Sequence, residues 1–348
     1  MRRAVALARR GLGRTRPNPV VGCVIERDCV VVGEGWHRLA GGPHAEADAL
    51  TRLAGKARGV RGATAHVTLE PCDHTGKTTA CTDALIAAGI ARVVYACADP
   101  VHGGGAAKLR AAGMQVDHQP HPAAAEVNEA WLVAAPRGRP FLALKTASSL
   151  DGRIATASGS SQWITGPAAR RAVHGLRSRY DAVLVGSGTL RADDPQLTAR
   201  FRGARQPVRV ALDARMECPA DARILSDEAP TWLVAGPGAP GPPGGAEALV
   251  VPVTEDGGRL DLKAMLEALW ARDIVSVLCE GGGILAGALL AAGLVDRLYA
   301  FVAPVFLGAD GAPMVAMNGP DQPGDGLRLH GVRRQFYGDD VLITGRLT

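Results

Sequence analysis

The sequence predicts two α/β domains in tandem, and three observations carry that expectation. The chain is 348 residues long, more than one compact core usually organises and comfortable for two domains of ordinary size. From Val20 onward, short β-branched runs alternate with helical stretches, the rhythm of βα units around a sheet. That rhythm breaks at Pro136-Arg137-Gly138-Arg139-Pro140 and then resumes. Two prolines and two charges end the preceding helix there, which divides the chain into domains of 1–139 and 140–348.

The elements follow in order. Val20–Ile25 and Val30–Gly35 read as a strand pair, Ala45–Ala54 as a helix, Ala65–Leu69 as a strand and Thr82–Ala88 as a second helix. Arg92–Cys97, a helix over Ala106–Ala112 and the strand Met114–Asp117 continue the alternation. After the break, Phe141–Lys145, Ala182–Val185, Val208–Leu212, Thr231–Val234, Leu249–Val251 and Ser276–Cys279 are apolar enough for strands of a second sheet, with helical segments between them. Gly236-Pro237-Gly238-Ala239-Pro240-Gly241-Pro242-Pro243-Gly244-Gly245 is too rich in Gly and Pro to pack and reads as a solvent loop. The β-rich stretch Arg297–Phe306 is a candidate interface between copies of the chain.

Composition narrows the function classes. The formal charge of +5 arises from 39 basic and 34 acidic residues dispersed along the chain, so no segment forms an electrostatic rail for nucleic acid. No apolar run approaches the roughly 18 residues a membrane span needs, and Met1 to Arg10 carries charges at both ends of a very short apolar core. A cytoplasmic protein with neither nucleic-acid nor membrane partners is expected. Seven cysteines at irregular spacing suit reduced thiols, two of them recruited to metal, better than a disulfide framework.

The chemistry concentrates in His44-Ala45-Glu46, Pro71-Cys72 and Cys81. One imidazole and two thiolates suit a tetrahedral Zn²⁺ whose fourth position is left to water, and a glutamate two residues from the histidine can shuttle protons without binding metal. His-x-Glu followed by Pro-Cys is the pattern of hydrolytic zinc deamination. His44 and Cys72 would each open a helix, with Cys81 just before or within the helix that follows, where the positive helix end favours thiolate. Cys23, Cys29, Cys97, Cys218 and Cys279 read as small buried hydrophobes. His118, His121 and His174 lack ligand spacing and read as surface or capping residues. In the second domain, the strand ending at Cys279 runs into Glu280-Gly281-Gly282-Gly283-Ile284-Leu285-Ala286-Gly287-Ala288. That turn is either structural or a phosphate cradle at a helix start, and it does not match the Rossmann fingerprint.

Cys72 and Cys81 are separated by positions 73–80, wider than the Cys-x2-Cys usual among zinc deaminases. That spacing within Glu70-Pro71-Cys72-Asp73-His74-Thr75-Gly76-Lys77-Thr78, together with Pro17-Asn18-Pro19-Val20-Val21-Gly22-Cys23-Val24, resembles the bifunctional pyrimidine deaminase/reductase family of riboflavin biosynthesis. The second half continues the resemblance with Lys145-Thr146-Ala147-Ser148-Ser149-Leu150-Asp151-Gly152-Arg153, Ser161-Gln162-Trp163-Ile164-Thr165, Val185 to Pro195 and the Glu280 turn. The match spans nearly the whole chain. It implies a cytidine-deaminase-like α/β/α domain followed by a dihydrofolate-reductase-like α/β domain, one Zn²⁺ per chain and NADPH.

By that similarity, His44, Cys72 and Cys81 hold zinc, Glu46 is the catalytic proton carrier, and Asn18, His74 and Lys77 hold the pyrimidine ribose phosphate in the first site. NADPH falls to Ala147, Trp163, Thr189, Asp193, Ala214 and Gly282, Gly283, Ile284, Leu285, Ala286, Gly287 and Ala288. Substrate contacts in the second site fall to Ser161, Arg177, Leu197, Arg200 and Glu280, the two arginines offering guanidinium forks to a phosphate. The implied reactions are deamination of a 2,5-diamino-6-ribosylamino-pyrimidinone 5′-phosphate and then reduction of its ribosyl group to ribityl. A homo-oligomer is also implied. Two departures stand out: Thr78-Thr79-Ala80 precedes Cys81 where the family has Thr-Pro-Pro, and Val101 stands where it has a substrate-touching asparagine, with His102 beside it. A deaminase of another base or of RNA, or a paralogue with a weakened deaminase, are the alternative readings.

Overall fold

A computed structural model describes residues 1–52, 59–74, 79–254 and 258–347. The chain divides into two compact units, Met1–Gly138 and Arg139–Thr348. Among the described residues no helix is long and apolar enough to cross a membrane.

The first unit runs α1 (Arg2–Ala8), β1 (Gly22–Arg27), β2 (Val30–Trp36), α2 (Ala45–Thr51), β3 (Thr64–Val67), α3 (Cys81–Ala87), β4 (Arg92–Tyr95), α4 (Gly105–Ala111), β5 (Gln115–His118), α5 (Pro122–Val127) and α6 (Glu129–Arg137). Its sheet has the order β2-β1-β3-β4-β5; β1 is antiparallel to both neighbours, while β3, β4 and β5 are parallel. Ile25, Val67, Leu85, Val93 and Leu109 build the core between sheet and helices. Gly35 lets α2 lie directly on β2, because a Cβ there would collide with the Ala45 carbonyl and the Ala49 amide. That contact seats the start of α2 against the sheet.

The strand expected from Val20 begins at Gly22 instead. The Asn128 side chain takes both polar groups of Val20, accepting from its N–H at 2.9 Å and donating to its carbonyl at 2.8 Å, so Val20 has no groups left for a ladder. Likewise Met114 donates its N–H to the Leu109 carbonyl as a helix end, and β5 starts one residue later. The helix expected over Ala45–Ala54 is formed through Thr51, and its last two positions lie outside the described residues.

The second unit runs β6 (Phe141–Ser149), β7 (Arg153–Ala155), α7 (Pro167–Arg177), β8 (Ala182–Gly186), α8 (Ser187–Asp193), β9 (Val208–Leu212), β10 (Thr231–Ala235), β11 (Glu247–Val250), α9 (Leu262–Trp270), β12 (Ser276–Cys279), α10 (Gly283–Ala291), β13 (Arg297–Ala303), β14 (Ala312–Pro313), β15 (His330–Tyr337) and β16 (Asp340–Arg346). The sheet order is β11-β10-β9-β8-β12-β6-β13-β16-β15. Neighbours are parallel from β11 to β13, and the last two pairings are antiparallel. Ala182, Val183, Leu184 and Val185 are all buried, as a parallel strand covered on both faces requires. β6 runs four residues past the expected Lys145, because β13 pairs with it as far as Ser149.

Arg297–Phe306 cannot offer a free strand edge, because β13 is bonded on both sides, to β6 and β16. The open edge on that side is β15, which the sequence pattern did not reveal. Nearly all of β15 is exposed, including Phe336, so it lacks the alternation that marks a half-buried strand.

Candidate functional site

In the first unit the strand-to-helix turns bring three ligand groups together. His44 is the extended N-cap residue of α2, Cys72 follows β3, and Cys81 opens α3. The Thr82 N–H donates to the Cys72 carbonyl at 3.2 Å, tying the two cysteine segments. His44 Nδ1 lies 3.4 Å from Cys72 Sγ and 3.3 Å from Cys81 Sγ, and the three ligand atoms lie within 4.8 Å of one another. A tetrahedral Zn²⁺ with ordinary Zn–S and Zn–N bonds demands N···S edges of about 3.5 Å. The donor set and its spacing therefore fit zinc.

Glu46 sits in the first turn of α2, 3% exposed, and accepts from the Cys81 thiol at 3.3 Å. Burial raises its pKa above the usual carboxylate range, which suits a group that must take and return a proton. The hydrogen bond from Cys81 holds the Cys72 thiol down at about 4, and the same shared bond pushes Cys81 up. The bond to Cys72 also raises His44.

Asn18, Thr15 and His37 form the adjoining wall. Asn18 N–H donates to the Thr15 carbonyl at 2.7 Å, and Thr15 Oγ1 donates to the Asn18 carbonyl at 2.9 Å. The Asn18 amide nitrogen lies 3.4 Å from His37 Nε2, while His37 Nδ1 lies 3.0 Å from the Pro43 carbonyl. His37 is 2% exposed and meets the His44 ring edge-on at 5.4 Å. Burial lowers its pKa. His74 is exposed and lies 4.3 Å from the His102 ring; Lys77 lies outside the described residues. Val101 is exposed, and its N–H and that of His102 both donate to Asp99 Oδ1. Glu70 anchors the same loop by accepting from the N–H groups of Asp99, Gly104 and Ala106.

In the second unit a buried ion-pair cluster lies at the carboxyl ends of the central strands. Glu280 follows β12. Arg177, the last residue of α7, donates Nε and Nη2 to its two oxygens at 2.6 and 3.1 Å, and Nη1 to the Thr198 carbonyl at 3.1 Å. Lys145 Nζ, from β6, is 3.6 Å from Glu280. Burial opposes ionisation of Glu280, but Arg177 and Lys145 outweigh it and hold the carboxyl at about 2. Burial lowers Lys145. The fork of Arg177, expected to face a phosphate, is thus directed at Glu280. His174, one turn earlier on α7, has Nδ1 3.1 Å from the Thr198 carbonyl and 3.3 Å from the Arg200 N–H. It belongs to this cluster rather than being a bland surface residue. Leu197 is buried with φ +56°, and Arg200 is exposed.

Of the residues assigned to a dinucleotide, Thr189 touches the start of α10. Thr189 Oγ1 accepts from the Gly282 N–H at 3.1 Å, Ser161 Oγ donates to Asp193 at 2.9 Å, and the Trp163 ring is covered by Arg170 at 4.5 Å. Ala147 is half-buried on β6, and the Ala214 carbonyl accepts from Gly236. The first turn of α10 carries no side-chain cap, so its amide end and dipole suit a phosphate; the site fits an anionic cofactor. Gly283 and Gly287 have a structural reason, one of the two that the sequence left open. A Cβ on Gly283 would collide with the Pro313 carbonyl and one on Gly287 with the Ala316 carbonyl, so both admit the chain's own 313–316 backbone. Leu285 and Ala286 are buried, whereas Ile284 is 72% exposed.

Sequence reasoning singled out neither His37, Asn128, Glu70 nor Lys145 for a role. Glu70 and Lys145 lay inside quoted motifs, but the partners of His37 and Asn128 are distant in sequence and left no local signal.

Two family models match the chain: residues 1–97 match the cytidine and deoxycytidylate deaminase zinc-binding region, and residues 140–343 match the RibD C-terminal domain. A riboflavin biosynthesis protein RibD from Escherichia coli (strain K12) is 42% identical, with 99% of this chain and 97% of that one covered. The same protein from Synechocystis sp. (strain ATCC 27184 / PCC 6803 / Kazusa) is 40% identical over 100% of this chain and 95% of that one. The crystal structure of a diaminohydroxyphosphoribosylaminopyrimidine deaminase/5-amino-6-(5-phosphoribosylamino)uracil reductase from Thermotoga maritima superposes with a TM-score of 0.90 at 36% identity, covering 100% of this chain and 97% of that one.

Proposed function

The chain belongs to the RibD family of riboflavin-biosynthesis proteins, and from that premise we propose how its residues divide the work. It is a bifunctional enzyme, a zinc-dependent deaminase and an NADPH-dependent reductase acting on a pyrimidine ribose phosphate. The observation that carries the first activity is the His44, Cys72 and Cys81 triad with Glu46 beside it.

His44, Cys72 and Cys81 hold Zn²⁺, which when bound supplies Lewis-acid activation of water. Glu46 takes one proton from the attacking water on its carboxylate and passes it to the ring nitrogen, then carries the remaining proton of the added hydroxyl to the amino group, which departs as ammonia. Its buried setting keeps that proton from bulk solvent. Asn18 and His74 hold the pyrimidine, and Lys77 its phosphate. In the second site NADPH supplies hydride for reduction of the ribosyl carbon. Gly282 to Ala288, with Ala147, Trp163, Thr189, Asp193 and Ala214, bind the dinucleotide. Glu280, oriented by Arg177 and flanked by Lys145, receives the substrate with Ser161, Leu197 and Arg200.

The protein acts as a cytoplasmic homo-oligomer in this reading. The described cysteines are free thiols, in keeping with a reducing compartment, and the open edge of β15 is the surface we favour for self-association. Product analysis tests the assignment. Zinc-replete protein given the diaminopyrimidine ribose phosphate without NADPH should release ammonia and stop at the deaminated sugar phosphate. Adding NADPH should carry the product on to one with two more hydrogens. Recovery of unchanged substrate would overturn it.

A further inference from the structure

We propose that His37 is a positioning residue of the deaminase site: by accepting from the Asn18 amide nitrogen, it turns Asn18 Oδ1 toward the substrate as a hydrogen-bond acceptor. The inference rests on the reading of Asn18 as a substrate contact.

The Pro43 carbonyl can only accept, and His37 Nδ1 lies 3.0 Å from it, so the ring proton is on Nδ1. Nε2 then carries the lone pair of a neutral imidazole. The Asn18 amide group lies 3.4 Å from that lone pair and must present N–H rather than oxygen. Amide orientation, ordinarily a matter of the surrounding network, is here determined by a chain of two contacts that begins at a backbone carbonyl.

Rotation of the Asn18 side chain is the freedom that remains, and its backbone is already pinned. Thr15 bonds Asn18 through both main-chain and side-chain groups, and Asn128 clamps Val20 two residues on. With its nitrogen engaged, the amide offers Oδ1 to a donor. A diaminopyrimidine presents exocyclic amino and ring N–H groups, so an acceptor at this wall discriminates for an amino-bearing ring. His37 itself is almost fully enclosed and its two ring nitrogens have named partners, so it acts through Asn18.

Two near-isosteric substitutions separate this role from a merely structural one. In His37→Gln the amide oxygen falls near the Nε2 position and retains the Asn18 contact; in His37→Asn the amide nitrogen falls near Nδ1 and retains only the Pro43 contact. Deaminase kinetics on the zinc-loaded full chain should show KM raised about tenfold in His37→Asn with kcat little changed, and KM within about twofold of wild type in His37→Gln. The His37→Asn effect should vanish when combined with Asn18→Ala. The reverse order of the two variants would mean that His37 serves only to hold Pro43, and would overturn the proposal. If Asn18→Ala binds and turns over substrate normally, the reading of Asn18 fails and the proposal with it, a result distinct from the reversed order. Nitrogen-15 shifts of the His37 ring in the unmodified holoenzyme give a check that needs no variant: a proton on Nδ1 is expected, and one on Nε2 would refute the orientation.

Discussion

At Glu46 the sequence spacing and the burial point the same way. The carboxylate is enclosed beside the ligand cluster without being a member of it, so Glu46→Gln should lower deaminase turnover by at least about a hundredfold. Bound zinc and reductase turnover should stay near wild type, as metal analysis and NADPH oxidation on the deaminated substrate would show. Glu280 gives a pH prediction. Its carboxyl is held at about 2 by Arg177 and Lys145, below the roughly 4.3 of an unfolded chain. The stabilisation from that depressed value is complete above the unfolded pKa and is lost as pH falls toward 2. Arg177→Met should destabilise the reductase unit by about 3 kcal/mol near neutrality, since it strips a buried carboxylate of its bidentate partner. The gap from wild type in urea unfolding should narrow between pH 5 and pH 3, where the variant's Glu280 escapes its penalty by protonation. The residue-level motif His-x-Glu with Pro-Cys was readable because its chemistry needs particular side chains at particular spacing. His37 was not, because its partners are 19 residues away at Asn18 and on the Pro43 backbone.

At the scale of elements, α10 shows how a motif can be right in position and also serve packing. The Gly-rich turn lies at a strand-to-helix junction, as βα logic requires, and Gly283 and Gly287 also make room there for the backbone of Pro313 and Ala316. Gly287→Ala should therefore cost about 1–3 kcal/mol through overpacking, visible as a lowered melting temperature. A Cβ on Gly282 meets only Thr189 Oγ1 at 3.6 Å and Ile154 at 3.9 Å. Gly282→Ala should leave the melting temperature nearly unchanged and raise the KM for NADPH several-fold, as steady-state kinetics would report. Equal loss of stability in both variants would contradict this division. Strand ends behave similarly. Val20 has the β-branched character of a strand, but a side chain more than a hundred positions away takes its hydrogen bonds, and no local pattern encodes that competition.

For the whole molecule, the two units have separate cores and separate chemistry. Stripping zinc with a chelator should abolish deamination and lower the thermal stability of the first unit, because metal that binds only the folded state adds its binding free energy to folding. Reductase activity on the deaminated substrate should persist, and loss of both activities together would refute independent sites. The sequence by itself determined the α/β class and the family, and it predicted a break near residue 139 and the zinc ligands, since periodicity, helix-breaking residues and ligand chemistry are local properties of the chain. Only the tertiary structure decided that Arg177 faces Glu280, that β13 is interior while β15 is the open edge, that the α10 glycines admit the chain's own backbone, and that His37 meets Asn18. Each of these depends on which distant segments reach the same space, and a pairing between distant groups has no signature in the local pattern of either one.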